Sequence, residues 1–488
     1  MQGNGRRLPV PVRALAVILA TAAAVLAAQP PIPAQPGPSI LPPPVDTRPN
    51  VLIFITDDQR ADSLNVMPRT RRWFASGGVT FANAYATTPV CCPSRASIMT
   101  GRYAHNHRVE TNGDVEQLDQ RSTLQRYLQE AGYQTAIAGK YLNNWTGNPP
   151  HFDRWTIFES KRAGYYGAIY NTGGDTQRVA TYSTDYVAAE SMRFLRAFEE
   201  RDDRPWLMYV APYAPHAPQK PARRHLDTSV PPWRLTPSVR ERDRTDKPPW
   251  VLGKRLYGEN LSRLRNTRAG QLRTLRAADE LVNSVMKTLT NLGEDQRTMS
   301  FFLSDNGFLW GEHGLKQKQA PYTSSVRIPL LFRWPGHVAT GQTLTRPVAN
   351  IDVVPTVFQA VGVTPAPEYP VDGRSLLTSS RDRILLEFHR RFGRPVPTWA
   401  STRTESYQYT EWYGDDGQTV EFREYYNLAA DPWQLTNLLA DADPSNDPPP
   451  DIQAQLSAQL VRDRECVGAP EDSQGSQPPP SGTPSGCP

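Results

Sequence analysis

The chain has 488 residues, 38% of them hydrophobic, so it is long and apolar enough to form one large domain and a smaller one. Its formal net charge is +5, and removal of residues 1–28, which contain three arginines and no acid, would leave +2. A charge so near neutrality excludes a nucleic-acid binder that acts through bulk positive charge.

The N-terminal 28 residues have the organisation of a secretory signal peptide. Arg6, Arg7 and Arg13 precede the apolar run ALAVILATAAAVLAA at 14–28. A membrane anchor is the alternative, but the run is shorter than the roughly 20 residues that span a bilayer. We therefore expect a secreted, extracellular or cell-envelope protein without stable membrane insertion, with a proline-rich disordered leader at 29–48.

From Asn50 onward, short apolar runs alternate with amphipathic segments. The apolar runs predict strands at VLIFIT (51–56), TAIAG (135–139), WLMYVA (206–211), MSFFLS (299–304) and IPLLFRW (328–334). The amphipathic segments predict helices, most clearly at 122–132, 183–200 and 273–293. Continuously apolar strands separated by helices are typical of a mostly parallel sheet buried on both faces. The predicted fold class is α/β, with a main domain at 49–378.

The pattern changes after about residue 380. TESYQYTEWYG (404–414) and TVEFREYYNL (419–428) predict antiparallel strands, and DIQAQLSAQLVRDREC (451–466) predicts a final helix. These segments indicate a small α+β subdomain at 379–465. Cys466 and Cys487 bracket a low-complexity tail at 466–488 and could pair to close it into a loop.

Polar residues follow four of the predicted strands. In chain order they are Asp57 with Asp58, Lys140, His216, and Asp305 with Asn306. Each alone could be a turn residue or a helix cap, but turns do not need a lysine and a histidine at matching places. Because ligands gather beyond the carboxyl ends of strands in open α/β sheets, we expect these residues to form one site.

The chemistry of this set suits a hard divalent cation. Its oxygen donors would come from Asp57, Asp58, Asp305 and Asn306, and no cysteine or histidine spacing suits zinc. Ca²⁺ or Mg²⁺ is therefore the expected metal. The surrounding cations would be Lys140, His216 and Arg95. A divalent ion ringed by cations predicts a site for a tetrahedral oxyanion, either sulfate or phosphate.

The segment CCPSRASIMTG at 91–101 predicts a helix with Pro93 in its first turn. A group at that N-terminus would face unpaired N–H groups and the positive end of the helix dipole, and Arg95 would add a guanidinium suited to oxyanions. The segment raises the question of what two adjacent cysteines do there.

Three other interpretations of the cysteine pair are weaker. A vicinal disulfide between Cys91 and Cys92 would be strained, and a zinc site would need a CxxC pair, which the chain lacks. A cysteine-phosphatase loop needs an arginine six positions after the cysteine, where Ser97 and Ile98 stand.

These segments resemble the signatures of the sulfatase family. The first signature, CxPSRxxxTG, is present as Cys91, Pro93, Ser94, Arg95, Thr100 and Gly101. Further similar segments are GYQTAIAGKYL (132–142), DNG (305–307), GEHGLKQK (311–318) and EYYNLAADPWQLTNL (424–438). The resemblance covers about residues 49 to 440. VCCPSRAS, GKYLN, APHAP and PVANIDVVPT are most similar to the N-acetylglucosamine-6-sulfatase and extracellular heparan sulfatase branch.

The resemblance implies an alkaline-phosphatase-like core and a modified nucleophile. Cys91 would be oxidised to Cα-formylglycine (3-oxoalanine) by a formylglycine-generating enzyme, with Cys92 as a bystander. One hydroxyl of the hydrated aldehyde would attack sulfur, and collapse of the other would restore the aldehyde and expel sulfate. No water would then need to attack the sulfate ester.

The resemblance also assigns roles to individual residues. The implied metal ligands are Asp57, Asp58, the modified Cys91, Asp305 and Asn306, with Ca²⁺ favoured and Mg²⁺ as the alternative. Arg95 would stabilise the formylglycine hydrate. Three residues are expected to hold the sulfate oxygens and to balance the charge that develops on the leaving group. They are Lys140, His216 and Lys318, with Lys316 as an alternative to Lys318. His216 would protonate the leaving alcohol.

One position departs from many sulfatases, which carry a histidine two residues after the signature lysine. Here that residue is Leu142, as in the GKYLN branch, which leaves His216 as the expected general acid. His105, His107 and His313 are interpreted as solvated or core histidines.

The predicted function is a secreted sulfuric ester hydrolase acting on sulfated sugars, such as N-acetylglucosamine 6-sulfate, or on aryl sulfates. The alternatives are a phosphonate monoester or phosphodiester hydrolase with the same site, and a non-catalytic protein that binds sulfated glycans. Several aromatic and basic residues could line the substrate pocket, or could equally be ordinary surface residues. They are Trp145, Tyr165, Tyr166, Arg223 and Arg224.

Overall fold

The computed structural model describes residues 46–159, 164–201, 203–254, 259–391, 395–470 and 486–488. The predicted signal peptide, the leader before residue 46 and residues 471–485 of the tail lie outside this part of the chain. No helix within the described residues is both long and apolar enough to cross a membrane.

The described part of the chain contains eighteen strands and eleven α-helices, numbered in chain order. The strands are β1 (Asn50–Thr56), β2 (Val79–Phe81), β3 (Ala84–Tyr85), β4 (Gln134–Gly139), β5 (Arg154–Phe158), β6 (Ala168–Thr172), β7 (Asp175–Val179), β8 (Trp206–Ala211), β9 (Thr298–Ser304), β10 (Leu309–Trp310), β11 (Lys316–Gln317), β12 (Leu330–Arg333), β13 (Gln342–Leu344), β14 (Val348–Ala349), β15 (Ile384–Phe388), β16 (Trp399–Arg403), β17 (Tyr407–Tyr413) and β18 (Val420–Asn427). The helices are α1 (Pro68–Thr70), α2 (Cys91–Thr100), α3 (Ala104–His107), α4 (Leu124–Glu130), α5 (Ser183–Glu199), α6 (Pro237–Arg240), α7 (Pro249–Leu252), α8 (Glu259–Asn291), α9 (Thr323–Val326), α10 (Val353–Val361) and α11 (Pro450–Arg464).

Ten strands form the main sheet, in the order β13-β2-β12-β9-β1-β8-β4-β5-β6-β7. The five strands from β9 to β5 run parallel to one another, with Val51 of β1 opposite both Met299 of β9 and Leu207 of β8. The outer strands β12, β6 and β7 pair antiparallel. The predicted α/β class with a mostly parallel sheet is confirmed.

Both faces of this sheet are covered, which explains why its central strands are apolar throughout. Val51, Ile53 and Ile55 of β1 pack in a core with residues of α2, α4 and α10. Leu52 and Phe54 point to the other face and pack with residues of α5 and α8. Successive side chains of a strand alternate between faces, so a strand buried on both faces needs apolar residues at every position.

The predicted strand at 328–334 forms as β12, but it runs antiparallel to β9. The connection between β9 and β12 contains the short antiparallel pair β10–β11 and, as its one α-helix, the four-residue α9. A parallel pair is usually joined by a crossover helix that packs on the sheet, and α9 is too short to serve as one.

A second sheet near the C-terminus has four antiparallel strands, in the order β15-β16-β17-β18. β17, β18 and α11 confirm the strands and the helix predicted there, whereas β15 and β16 were not predicted. Leu456 and Leu460 of α11 pack against this sheet together with Trp399 and Trp412. The same cluster contains Val90, the residue just before α2.

Cys466 and Cys487 form a disulfide, as the sequence suggested. The Cys466 carbonyl accepts hydrogen bonds from His105 Nε2 at 3.0 Å and from the side-chain amide of Asn106 at 2.9 Å. The disulfide therefore lies against α3 of the main domain.

Glu387 of β15 binds the N-terminal end of α3. Its carboxylate accepts hydrogen bonds from the Ala104 N–H at 2.7 Å and from His105 Nδ1 at 2.9 Å. Both ring nitrogens of His105 thus face acceptors, which favours the protonated ring. Burial alone would lower the pKa of His105, but the Glu387 carboxylate raises it to about 9.

We expect this ion pair to make stability depend on pH. The pKa of His105 in the folded protein is about 9, above its ordinary value of 6.5, so the stabilisation is fully present below pH 6.5 and is lost as the pH rises through 9. At pH 6 the free energy of unfolding of the wild type should exceed that of His105→Gln by about 3 kcal/mol. Urea unfolding of both proteins between pH 6 and pH 10 measures the difference. A difference that stays constant over this range would contradict the expectation.

Candidate active site

The first acidic residues of the site stand side by side because of strand pairing. β1 and β9 are parallel, with Thr56 opposite Ser304, so the residues that follow them emerge next to each other. The Asp58 N–H donates to Asp305 Oδ1 at 3.1 Å. Asp58 has a φ of 69°, in the left-handed region that aspartate tolerates better than most residues. The chain therefore turns sharply just beyond Asp57.

Three carboxylates lie within reach of a single ion. Oxygen atoms of Asp57, Asp58 and Asp305 lie within 4.8 Å of one another, and all three side chains are buried. Asn306 Nδ2 donates to Asp58 Oδ1 at 2.7 Å. Carboxylates this close repel one another, so positive charge must lie among them. Oxygen donors of this kind are the ligands that Ca²⁺ and Mg²⁺ take.

Lys318 places its ammonium group among these oxygens. Lys318 Nζ donates to Asp58 Oδ1, to Asn306 Oδ1 at 3.1 Å and to Cys91 Sγ at 2.9 Å. Burial alone would lower the pKa of Lys318, but Asp58 and its neighbours raise it well above its ordinary value. A cation therefore fits between these three atoms, which also belong to the ligand set expected from the sequence.

Two more buried cations neutralise the other carboxylates. Lys140 Nζ donates to Asp57 Oδ2 at 2.6 Å, and Arg95 Nε donates to Asp305 Oδ2 at 2.9 Å. Burial would raise the pKa of Asp57, but the charge of Lys140 outweighs this effect and the pKa falls to about 2. The Nη2 group of Arg95 is buried and has no hydrogen-bond partner among the described residues, so it can serve an added anion.

Cys91 is the first residue of α2, and its side chain lies inside this ring of charges. Its residue exposure is 1%, and its sulfur is 3.6 Å from Asp57 Oδ1 and 2.9 Å from Lys318 Nζ. The first N–H groups of a helix have no intrahelical partners and attract negative charge. The position combines a thiol, three cations and three carboxylates.

The other residues of the CxPSRxxxTG motif fix α2 against the sheet. Ser94 Oγ donates to the Asp305 carbonyl and accepts from Asn350 Nδ2 at 2.9 Å. Gly101 ends the helix with a φ of 70°, and a Cβ atom there would lie 2.9 Å from the side chain of Val354. The motif therefore positions the helix start as well as supplying Cys91 and Arg95.

Cys92 is held by structural contacts on the other side of the helix start. The Asn143 N–H donates to Cys92 Sγ at 2.9 Å, and the Cys92 N–H donates to Asn112 Oδ1 at 2.9 Å. Burial raises the pKa of Cys92 to about 12. The thiolate, which is the reactive form of cysteine, is therefore suppressed at this position.

His216 approaches the site from the loop after β8. Its Nδ1 donates to the Ala217 carbonyl at 2.8 Å, which directs Nε2 towards Asp58 Oδ2 at 3.9 Å. Burial would lower the pKa of His216, but Asp57 and Asp58 raise it to about 9. With 28% of its side chain exposed, His216 can carry a proton at neutral pH and still meet a molecule that enters from solvent.

The structure brings together all nine residues that the sequence predicted for the site. They are Asp57, Asp58, Cys91, Arg95, Lys140, His216, Asp305, Asn306 and Lys318. Lys316, the alternative to Lys318, is exposed and donates to Asn260 Oδ1 at 3.1 Å instead.

The other candidate histidines lie elsewhere. His105 contacts Glu387, His107 is buried with its Nε2 3.0 Å from Ser97 Oγ, and His313 contacts Glu241 at 2.9 Å. Leu142 is part of the apolar core.

Several cavities adjoin this site, and the most voluminous, about 420 Å³, meets it at Lys318. The first of the others, about 300 Å³, is lined by Lys140, His216 and Arg391 among others. A second, of about 290 Å³, is lined by Asp58, His216 and Lys318, and a third, of about 170 Å³, shares Arg391 with the first. None of the aromatic and basic residues considered from the sequence lines them, namely Trp145, Tyr165, Tyr166, Arg223 and Arg224.

Comparison with family models establishes the class of protein. The Sulfatase model matches residues 49–363, and the model described as "N-sulphoglucosamine sulphohydrolase, C-terminal" matches residues 311–465. The chain belongs to the sulfatase family.

Individual relatives confirm the predicted branch. The chain is 36% identical over 357 residues to the extracellular sulfatase SULF-1 homolog of Drosophila melanogaster, an alignment that covers 68% of this chain and 31% of that protein. The chain thus spans about a third of that relative's length. It is 29% identical over 496 residues to the human N-acetylglucosamine-6-sulfatase, covering 86% of this chain and 85% of the relative.

A solved structure confirms the sulfatase fold. That protein, in complex with its substrate D-glucosamine-2-N,6-O-disulfate, is 24% identical to this chain. The superposition has a TM-score of 0.72 and covers 85% of this chain and 97% of the other.

Proposed function

We propose that this chain is a secreted sulfuric ester hydrolase that removes sulfate from sulfated sugars such as N-acetylglucosamine 6-sulfate. The observation that carries the proposal is the position of Cys91, whose sulfur lies between Asp57 and Lys318 at the start of α2. The named activities of the relatives support the substrate class.

Cys91 is proposed to act as Cα-formylglycine, made by a formylglycine-generating enzyme. The hydrated aldehyde supplies a hydroxyl that displaces the sugar oxygen at sulfur and a second hydroxyl whose collapse releases sulfate. The unpartnered Nη2 of Arg95 suits the stabilisation of this hydrate. Cys92 takes no part, because it is bonded to backbone groups and its thiolate is suppressed.

A divalent metal, Ca²⁺ or Mg²⁺, is proposed to bind at Asp57, Asp58, Asp305, Asn306 and the modified Cys91. The oxygen donors suit such an ion, and the Lys318 ammonium, which contacts Asp58, Cys91 and Asn306, supports a cation at this position. When bound, the metal supplies positive charge to the reacting oxyanion. Lys140 and Lys318 hold the sulfate oxygens, as preorganised charge that needs no rearrangement during the reaction.

His216 is proposed to give its Nε2 proton to the leaving sugar oxygen. The hydrogen bond from Nδ1 to the Ala217 carbonyl fixes the ring with Nε2 towards the site. The pKa of about 9 keeps that nitrogen protonated at neutral pH.

The predicted signal peptide and the Cys466–Cys487 disulfide support export, because disulfides persist in oxidising compartments. The proposed organisation keeps a catalytic domain at 49–378 and a C-terminal subdomain at 379–465.

Turnover by the purified, formylglycine-bearing protein tests the proposed function. Sulfate released from N-acetylglucosamine 6-sulfate and from p-nitrophenyl sulfate would be measured by ion chromatography, beside hydrolysis of a phenyl phosphonate ester. We expect kcat/KM to be highest for a sulfate ester. A clear preference for the phosphonate would overturn the proposal, and binding of sulfated sugars without turnover would leave only the non-catalytic alternative.

If His216 protonates the leaving group, the fall in kcat on replacing His216 should depend on how readily that group leaves without a proton. His216→Ala should lower kcat for the sugar sulfate by about 10²- to 10⁴-fold, because a sugar alkoxide cannot leave without a proton. The same variant should lower kcat for p-nitrophenyl sulfate by less than about tenfold, since nitrophenolate leaves without protonation. Equal losses on the two substrates would show that His216 does not act as the general acid.

A further inference from the structure

Arg391 lines one cavity of the site together with groups that would hold the ester sulfate. This cavity of about 300 Å³ is lined by Lys140 and His216 on the side of Cys91, and Arg391 belongs to the same lining. The volume is at the lower end of small-molecule sites. A molecule that fills this cavity therefore contacts the reaction centre and Arg391 together.

The charge of Arg391 differs from the other positive charges of the cavity. Lys140 donates to Asp57 at 2.6 Å, and His216 faces Asp58 at 3.9 Å. Arg391 has no hydrogen bond or ion pair with any residue that the structure describes. Among the residues that the structure describes, no carboxylate lines this cavity. An exposed guanidinium in a cavity without acids is available to a ligand.

The neighbouring cavity shows what adjoins Arg391 on its other side. It has a volume of about 170 Å³ and is lined by Glu110, Asn112 and His389 in addition to Arg391. His389 lies 3.5 Å from a carboxylate oxygen of Glu110. Asn112 and Arg391 line both cavities. Arg391 thus stands between the reaction centre and a second polar space suited to sugar hydroxyls.

We propose that Arg391 binds a second anionic group of the substrate while the ester sulfate lies at Cys91. The group would be a sulfate or carboxylate on the same sugar or on the adjoining one, because a guanidinium offers such anions two parallel hydrogen bonds. The inference rests on the proposed function and narrows its substrate class to sulfated sugars with a second negative charge. Arg391 acts on specificity and is separate from the groups that carry out the reaction.

The test compares substrates that differ in the second charge. Arg391→Gln should lower kcat/KM for D-glucosamine-2-N,6-O-disulfate by about 10- to 100-fold, mostly through KM. For N-acetylglucosamine 6-sulfate, the kcat/KM of Arg391→Gln should differ from that of the wild type by less than about threefold. Arg391→Lys keeps the positive charge but lacks the paired N–H donors of a guanidinium, so its kcat/KM for the disulfate should fall between those of the wild type and Arg391→Gln. A 6-sulfated glucosamine without an N-sulfate, linked to a uronic acid, tests the carboxylate separately. A lower kcat/KM for this substrate in Arg391→Gln would identify the carboxylate as the second anion, and an unchanged kcat/KM would identify the N-sulfate.

Arg390→Gln is the matched control. Arg390 is adjacent in sequence but pairs with Asp415, whose side chain is 89% exposed, so its loss should leave both substrates unaffected. Equal losses on mono- and disulfated sugars in Arg391→Gln, or no loss on either, would overturn the proposal.

A binding measurement separates this proposal from the proposed function. If the wild type releases no sulfate from any sugar, the proposed function fails, and calorimetry on Cys91→Ala then decides the role of Arg391. Binding of D-glucosamine-2-N,6-O-disulfate about tenfold or more weaker in Cys91→Ala/Arg391→Gln than in Cys91→Ala would support an anion site at Arg391. Equal affinities would refute it.

Discussion

Replacing Cys91 with alanine should lower kcat for sulfate esters by about 10⁶-fold, as expected when an enzyme loses its nucleophile. The Cys91 sulfur lies 2.9 Å from Lys318 Nζ and 3.6 Å from Asp57 Oδ1, and alanine offers neither an aldehyde nor a thiol there. Initial rates with p-nitrophenyl sulfate measure the loss, and the mass of the peptide containing residue 91 in the wild type shows whether formylglycine is present.

Cys92→Ala is the matched control for this prediction. It removes a buried sulfur that accepts the Asn143 N–H, so it should cost about 1–2 kcal/mol of stability and leave kcat within roughly tenfold of the wild type. Unimpaired turnover by Cys91→Ala, or an equal loss in Cys92→Ala, would disprove the assignment of the nucleophile.

Removing the proposed metal should have the second largest effect. Dialysis against a chelator should lower turnover by about 10³-fold or more, and Ca²⁺ or Mg²⁺ should restore it. An ion that binds the folded protein and not the unfolded chain adds about 2.7 kcal/mol to the free energy of unfolding when its free concentration is 100 times its Kd. Calcium should therefore raise the thermal unfolding midpoint of the chelated protein, a result that does not depend on activity.

Two variants locate that ion. Asn306→Ala removes one proposed ligand without leaving a charged partner unpaired, and it should weaken the calcium-dependent shift of the midpoint. Asp451→Asn, at an exposed position in α11, should keep the full shift. An identical shift in both variants would place the ion elsewhere.

The sequence could predict the central strands and most of the site because both depend on local patterns. Strands buried on both faces are apolar throughout, and parallel strands bring the residues that follow them to one edge. The start of α8 was missed because arginines and other polar residues alternate with its buried positions. Its first half buries Leu264, Arg268 and Gln271, so the buried face there is carried partly by long polar side chains.

The choice between Lys316 and Lys318 depended on backbone geometry that no pattern reveals. Side chains two residues apart share a face in a regular strand, which would direct both lysines the same way. Gln317 between them has a φ of 71°, and this break in the strand separates the two ammonium groups. Arg391 was missed for a different reason, since it reaches the site from a part of the chain 300 residues after Cys91.

Val90, the residue before Cys91, packs with Ile384 and Trp399 of the second sheet. The Glu387 N–H of that sheet also donates to the Thr87 carbonyl at 2.8 Å. The segment that carries Cys91 is thus supported by strands that lie nearly 300 residues later in the sequence. A fragment truncated before β15 would uncover this apolar surface and leave the start of α2 unsupported, so the two parts are not autonomous units and should be expressed together.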